Sequence, residues 1–211
     1  MKKILDEEFE IKTFKVGPLN TNCYIVLNKE KNVAAVVDPG FYDNNILSYV
    51  KKNNIVVELI LLTHGHFDHF IGANFLNAKT TYIHELDKEM LEDCEKNAGI
   101  LAGITDFEKI YNLKTFKDSE KIKFADEEFL VVHTPGHSKG SCCFIFKNNV
   151  IFTGDTIFKQ SLGRTDLFGG DYNILINSVK KIFKFNKNFI ILPGHGESST
   201  LNNEKSFNNI F

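Results

Sequence analysis

A run of histidines directly after an apolar strand is the feature that most constrains this chain. Segment 61–69, LLTHGHFDH, brings three imidazoles and one carboxylate within six residues. Zinc, iron and manganese all accept these ligands in proteins. His64 and His66 are two residues apart on an extended loop, so their side chains point the same way. Asp68 and His69 then face a second position, and the motif predicts a transition-metal site.

Three further loops repeat this context, each directly after an apolar strand. They offer His137 in the sequence TPGH, Asp155 in TGDT and His195 in PGHG. A single cluster of this kind could also consist of histidines that only cap a helix or form hydrogen bonds. Four strand-end loops with the same residue types predict that all the ligands meet at one edge of the sheets.

The alternation of apolar and polar residues predicts one continuous domain over 1–211, without repeats or low-complexity linkers. An acidic surface helix is expected at 85–97. The order of elements favours an α/β fold in four layers, although pattern alone leaves the topology open. The predicted strands are 11–16, 23–27, 33–38, 56–62, 80–84, 128–134, 141–146, 150–153 and 189–193, and the other predicted helices are 45–52, 72–76 and 172–185.

Composition argues against several classes of partner. The 25 Lys and Arg residues and 27 Asp and Glu residues give a net charge of −2 and are interspersed, which predicts no nucleic-acid binding. No segment approaches the roughly 20 apolar residues of a membrane span. The start, Met1–Leu5, is followed at once by three acidic residues, where a secretory leader needs an apolar stretch. The four cysteines form no CxxC pair and are expected to be reduced, buried thiols of a cytoplasmic protein.

These motifs resemble the metallo-β-lactamase fold hydrolases, whose HxHxDH motif is followed by a distal His, Asp and His. The resemblance is closest to the short glyoxalase II-like (hydroxyacylglutathione hydrolase-like) members. It rests on the segments GPLNTNCY at 17–24, GRTDL at 163–167, GGD at 169–171 and PGHG at 193–196.

The resemblance implies an αββα sandwich of two mixed β-sheets flanked by helices, with two divalent metal ions, zinc or alternatively iron or manganese. One ion is then held by His64, His66 and His137, the other by Asp68, His69 and His195, with Asp155 bridging both beside a shared water. The implied reaction is hydrolysis of a small thioester by the bridging hydroxide, with Asp68 and Asp155 as catalytic residues. A thiolate leaving group, with a pKa near roughly 8.5, departs with little help from an acid.

Two related activities stay open. Persulfide dioxygenases resemble this chain but use one iron, held at the positions of His64, His137 and Asp155. A lactonase of the same fold is the other alternative. True β-lactamases of the fold usually carry Cys, or no acidic ligand, where this chain has Asp155, which argues against that activity. The oligomeric state and the thiol carrier are left open.

Two more residues, Arg164 and His133, have two interpretations each, and His84 has one. Arg164, the only Arg of the chain, could bind a substrate carboxylate or pin its own loop through Asp166. His133 could orient a ligand or be a hydrogen-bonded core histidine. His84 is expected to be structural.

Overall fold

The computed structural model describes residues 7–208. The two ends of the predicted domain, including the segment Met1–Leu5 considered as a leader, lie outside the described residues. The first part of the chain builds a six-stranded sheet in sequential order. Its first three strands form an antiparallel meander, and the later strands are added in parallel. The strands are β1 (Phe9–Val16), β2 (Thr21–Asn28), β3 (Val33–Val37), β4 (Val56–Leu61), β5 (Thr80–His84) and β6 (Leu113–Phe116).

The later part builds a second six-stranded sheet, in the order β14-β13-β10-β9-β8-β7. All neighbours are antiparallel except β10 and β13, which run parallel. A separate two-stranded ribbon lies between β10 and the third helix in sequence. The strands are β7 (Lys121–Phe124), β8 (Glu127–His133), β9 (Cys142–Phe146), β10 (Val150–Gly154), β13 (Ile190–Pro193) and β14 (Ser199–Thr200), and the ribbon is β11 (Ile157–Phe158) with β12 (Ser161–Leu162).

The helices begin at clear capping signals. The Asp43 carboxylate accepts hydrogen bonds from the backbone N–H groups of Asn45 and Ile46 at 2.7 and 3.1 Å, and Asp171 accepts from Ile174 at 3.0 Å. Within residues 7–208 no helix combines the length and apolarity that a bilayer crossing requires; the cytoplasmic location stays a prediction. The α-helices are α1 (Asn44–Lys52), α2 (Phe67–Phe70), α3 (Tyr172–Phe183) and α4 (Leu201–Asn208), and the 3₁₀ segments are Asn74–Leu76, Glu85–Glu92 and Gly99–Ala102.

Three apolar contact layers hold the sheets and helices together. The layer between the sheets is rich in phenylalanine, and the rings of Phe129 and Phe146 stack at 4.5 Å. The outer face of the first sheet packs on α1 and α2, and the outer face of the second sheet packs on α3 and α4. This arrangement confirms the predicted four-layer α/β sandwich.

The main error of the sequence prediction lies at 85–97. The predicted acidic surface helix is a shorter 3₁₀ segment, Glu85–Glu92. It lies at the surface with five exposed residues, but Asp87, Met90 and Leu91 are buried. Strands β6 and β7 were also missed, since each has only four residues. All nine predicted strands are present, and their ends lie within two residues of the predicted bounds.

Phe129 provides a test of the inter-sheet layer. The Phe129→Ala substitution is expected to lower the free energy of unfolding by about 3–5 kcal/mol, because a fully buried ring leaves a cavity between the two sheets. Urea denaturation measures this. Phe207→Ala, at a side chain that is 55% exposed, serves as the control and should change the free energy by less than about 0.5 kcal/mol. Equal losses in both variants would contradict the assigned core.

Candidate metal centre

Four strand ends, one from the first sheet and three from the second, deliver the predicted ligands to one edge of the sandwich. The HGHFDH segment follows β4 of the first sheet, whereas His137, Asp155 and His195 follow β8, β10 and β13 of the second. Backbone hydrogen bonds join the sheets here: the Cys142 N–H donates to the Thr63 carbonyl at 2.9 Å, and the Asn22 N–H to the Gly194 carbonyl at 2.7 Å. The loops are therefore fixed relative to one another.

Three imidazoles form one half of the site. His137 Nε2 lies 3.2 Å from His64 Nε2 and 2.9 Å from His66 Nδ1. All three side chains are buried. The predicted His64, His66 and His137 set thus converges as a group that could hold one metal ion.

A carboxylate and two imidazoles form the other half. Asp68 Oδ2 lies 3.4 Å from His69 Nε2 and 3.2 Å from His195 Nε2. Asp68 also accepts a hydrogen bond from the Thr21 hydroxyl at 2.8 Å. Asp68 and His69 are adjacent on the short helix α2, and their ligand atoms lie within 4.8 Å of that of His195. His64 lies equally close to His69 and Asp155, so the two halves adjoin.

Asp155 lies between the two halves. Its Oδ2 atom is 3.6 Å from His137 Nε2 and 3.6 Å from His195 Nε2, and its Oδ1 atom is 3.5 Å from His69 Nε2. One carboxylate therefore approaches imidazoles of both sets, as a bridging ligand must.

The hydrogen bonds on the outer ring nitrogens orient the lone pairs inward. The Nδ1–H of His137 donates to the Arg164 carbonyl at 2.8 Å and that of His195 to the Leu19 carbonyl at 3.2 Å. Since a carbonyl only accepts, Nδ1 carries a proton in both rings, and the neutral form of each ring has its lone pair on Nε2, which faces the centre. Pairing the outer nitrogen in this way is typical of metal-bound histidine.

Asp38 orients two more rings and was not singled out from the sequence. Its carboxylate accepts from the Thr63 hydroxyl at 2.7 Å and lies 2.9 Å from His69 Nδ1. Because the Thr63 hydroxyl proton is used on Asp38, the Thr63 oxygen accepts from His64 Nδ1 at 3.1 Å. The only sequence signal was the position of Asp38 at the end of a predicted strand.

The ligand spacing fits a small cation. Two ligands about 2.1 Å from a tetrahedral metal lie about 3.4 Å apart, and the inward-facing atoms described above are separated by 2.9 to 3.6 Å. Among the described residues, three buried polar atoms have no hydrogen-bond partner: His66 Nε2, His69 Nε2 and Asp155 Oδ1. Buried polar atoms are normally paired, so His69 Nε2 and Asp155 Oδ1, which face each other, indicate a missing cationic partner.

The two halves differ electrostatically. Burial, reinforced by the neighbouring imidazoles, holds the pKa values of His64 and His66 well below 6.5, so these rings are neutral and ready to coordinate. Burial also opposes the charging of His69, but Asp68, Asp155 and Asp38 outweigh it and raise the His69 pKa to about 10. A cation that binds His69 therefore displaces a proton.

The residues with two interpretations are resolved in part. Arg164 makes a bidentate ion pair with Asp166, with both N···O distances 2.7 Å, which agrees with the loop-pinning interpretation. It also lines the cavity above the centre, so substrate binding by Arg164 stays a prediction. The Nε2–H of His133 donates to the Lys139 carbonyl at 2.8 Å, and its ring stacks on His84. No described contact joins His133 to a predicted ligand.

A cavity of about 680 Å³ opens above the centre. Its floor carries His66, Asp68, His137, Asp155 and His195. Its mouth is mainly apolar, and two of the side chains there, Leu19 and Leu101, are 52% and 73% exposed. The apolar lining residues are Leu19, Phe67, Ala98, Leu101, Ala102, Phe158, Leu162 and Leu167.

Comparisons with known proteins agree with the fold described above. Residues 16–195 match the model of the Metallo-beta-lactamase superfamily. The chain is 32% identical to the hydroxyacylglutathione hydrolase GloC of Haemophilus influenzae, over 94% of this chain and 96% of that protein. The solved structure of BLEG-1 B3 metallo-beta-lactamase superposes with a TM-score of 0.85 at 32% identity, covering 93% of this chain and 96% of that one. TTHA1623 in a di-iron-bound form gives 0.81 at 30% identity, covering 95% and 100%.

His84 makes the stability of this edge sensitive to acid. Its Nδ1 accepts from the Leu86 N–H at 3.3 Å, and burial, with stacked His133 adding to it, lowers its pKa to about 4. The unfolded chain, with a pKa near about 6.5, binds the proton first as the pH falls. This contribution to stability is therefore present above pH 6.5 and is lost towards pH 4.

The test is urea unfolding of metal-free protein at several pH values between 7 and 5. His84→Asn keeps an acceptor for the Leu86 N–H but does not titrate. We expect its free energy of unfolding to fall less steeply with acid than that of the wild type. Identical slopes for the two proteins would contradict the assigned state of His84.

Proposed function

Since the chain belongs to the metallo-beta-lactamase superfamily, we propose that it is a binuclear metal-dependent hydrolase of a small thioester, similar to hydroxyacylglutathione hydrolase. His64, His66 and His137 would hold one ion, and Asp68, His69 and His195 the other. Zinc is the proposed metal, with iron or manganese as alternatives that the same nitrogen and oxygen ligands accept.

The position of Asp155 carries the proposal of two ions. A mononuclear site needs only one of the two sets, yet both are present and Asp155 lies within 3.6 Å of imidazoles from each. The 30% identical TTHA1623 was solved in a di-iron-bound form, which supports a two-ion centre. The presence of both ligand sets therefore favours a two-ion hydrolase over the persulfide dioxygenase alternative, which uses a single iron.

Two bound cations would supply an activated water at neutral pH and polarise the carbonyl of the substrate. The chain's own residues then have to place the thioester and keep the ligands still. Thr21 holds Asp68 in place, and the carbonyl of Arg164 holds the ring of His137. The cavity is wide enough for a drug-sized molecule, and its apolar mouth can cover the part of the substrate that does not react.

A thioester suits a cavity with few side chains that could protonate a leaving group. Its described lining residues include no Tyr, Lys or Glu that could protonate a strongly basic leaving group. A thiolate, whose conjugate acid has a pKa of about 8.5, leaves without a proton donor. The resemblance to GloC supports the same substrate class, whereas the similar BLEG-1 is named as a β-lactamase and makes β-lactams the competing class.

The first experiment is hydrolysis of S-lactoylglutathione by protein loaded anaerobically with zinc, manganese or iron. We expect the wild type to turn the substrate over. In Asp155→Ala the rate should fall by more than about 100-fold, because loss of a residue that only supports a ligand costs about 10- to 100-fold. Metal content measured on both proteins should show two ions per wild-type chain and fewer in the variant.

A chromogenic cephalosporin, a lactone and glutathione persulfide with oxygen uptake form the competing arms of that experiment. No thioester turnover with two ions bound would refute the thioesterase, and activity in one of these arms would identify the alternative. A single bound iron together with oxygen uptake would replace the hydrolase by a dioxygenase.

Leu101 tests whether the mouth of the cavity binds the substrate. Leu101→Asp is expected to raise KM by about tenfold with a smaller change in kcat, because burial of an apolar side chain contributes about 1.5 kcal/mol or more and acts on ground and transition state alike. Tyr111→Ala is the matched control, since Tyr111 is 78% exposed and is not among the described lining residues. Equal KM values for all three proteins would exclude the mouth from substrate binding.

A further inference from the structure

Asp87 is a buried carboxylate that no step of the proposed function uses. It lies in the 3₁₀ segment Glu85–Glu92, is fully buried and points its oxygens at two ligand-bearing loops. Burial of a carboxylate is costly unless the group is hydrogen-bonded. The partners of Asp87 therefore show what this carboxylate stabilises.

All the described side-chain hydrogen bonds of Asp87 go to the two loops that carry His64, His66 and His137. Oδ2 accepts from the backbone N–H of Gly65 at 3.0 Å, and Gly65 separates His64 from His66. The same oxygen accepts from the Ser138 hydroxyl at 2.6 Å, and Ser138 follows His137. Oδ1 accepts from the backbone N–H of Gly140 at 2.6 Å, three residues after His137.

The two glycines show that the close approach is built into the sequence. A Cβ atom on Gly65 would lie 2.7 Å from Met90 Cβ, and one on Gly140 would lie 2.7 Å from Asp87 Cγ. Both distances are too short for real side chains, so only glycine allows the 3₁₀ segment to reach the two loops. His84 accepts the first free N–H of the same segment, at Leu86, and this fixes the start of the segment.

We propose that Asp87 is a positioning residue that sets the spacing between the His64–His66 loop and the His137 loop, and through it the affinity of the three-imidazole half for its ion. Asp87 is not itself a ligand in this assignment. The inference rests on the proposed two-ion centre. The inference adds that each half of the centre is positioned by its own residue: Asp87 positions the three-imidazole half, and Thr21 positions Asp68 in the other half.

Asp87→Asn is the decisive variant, because the amide keeps the shape but replaces one accepting oxygen by a donor that faces an N–H or O–H group. Zinc affinity is measured by competition with a chromophoric chelator. Cadmium NMR, with one resonance for each occupied site, identifies the affected half, and His66→Ala assigns the resonances. We expect the three-imidazole half to lose about 10- to 100-fold in affinity and the other half to change by less than about threefold.

Three further variants serve as controls. Glu89→Gln removes the same charge from the same segment at an exposed side chain paired with Lys96, and it should leave both affinities unchanged. Ser138→Ala removes one of the three donors to Asp87 and should give a smaller loss at the same half. Thr21→Val removes the bond to Asp68 and should weaken the other half instead.

The outcomes separate the two hypotheses. Wild-type protein that binds no cation, or only one, would overturn the proposed two-ion centre itself. Two tight sites in the wild type together with unchanged or equally weakened sites in Asp87→Asn would overturn the role of Asp87. If Asp87→Asn does not fold, Ser138→Ala decides: a selective loss at the three-imidazole half supports the inference, and unchanged affinity refutes it.

Discussion

The convergence of imidazole and carboxylate groups at the edge where the two sheets meet is the constraint on which the rest of the site depends. Polar groups that are buried must be paired. Here the outer ring nitrogens of four imidazoles, those of His64, His69, His137 and His195, are paired with carbonyl, hydroxyl and carboxylate oxygens, whereas the inner atoms of the site face one another at 2.9 to 3.6 Å. A cation stabilises lone pairs that face one another in this way. The outer hydrogen bonds thus orient the ligands, and the bound metal would offset the repulsion between their lone pairs.

The loops that carry the ligands gain their precision from buried carboxylates outside the ligand set. Asp38 orients His69 directly and His64 through Thr63. Asp87 joins the segment around Gly65 to Ser138, which come from different sheets of the sandwich. Loops are ordinarily the mobile parts of a fold, and these cross-links between sequence-distant loops give the site the rigidity of the sheets.

The sequence revealed the ligands and the fold class because both leave local signals. HGHFDH and the three later loops follow apolar strands, so their positions at strand ends could be predicted from period and spacing alone. Asp38 also ends a predicted strand, but neither it nor Asp87 could be recognised from the sequence, because their hydrogen-bond partners lie 22 to 53 residues away. The helical spacing at 85–97 misled for the same reason: it describes an amphipathic segment but not Asp87, a charged residue that turns inward to reach distant backbone donors.

Substrate choice is the property least determined by the fold. GloC and BLEG-1 are each 32% identical to this chain, yet one is named a hydroxyacylglutathione hydrolase and the other a β-lactamase. In this chain the cavity is lined outside the sheets by the Gly99–Ala102 segment and the β11–β12 ribbon, and these elements are the ones that can discriminate between substrates. Arg164 lies there too, but its charge is matched by Asp166, so the mouth presents apolar surface with little net charge to a substrate. A lactam nitrogen is a strongly basic leaving group that needs a proton to depart, whereas a thiolate is weakly basic and does not. The described lining of the cavity includes no Tyr, Lys or Glu to supply that proton, which favours a thiolate as the leaving group.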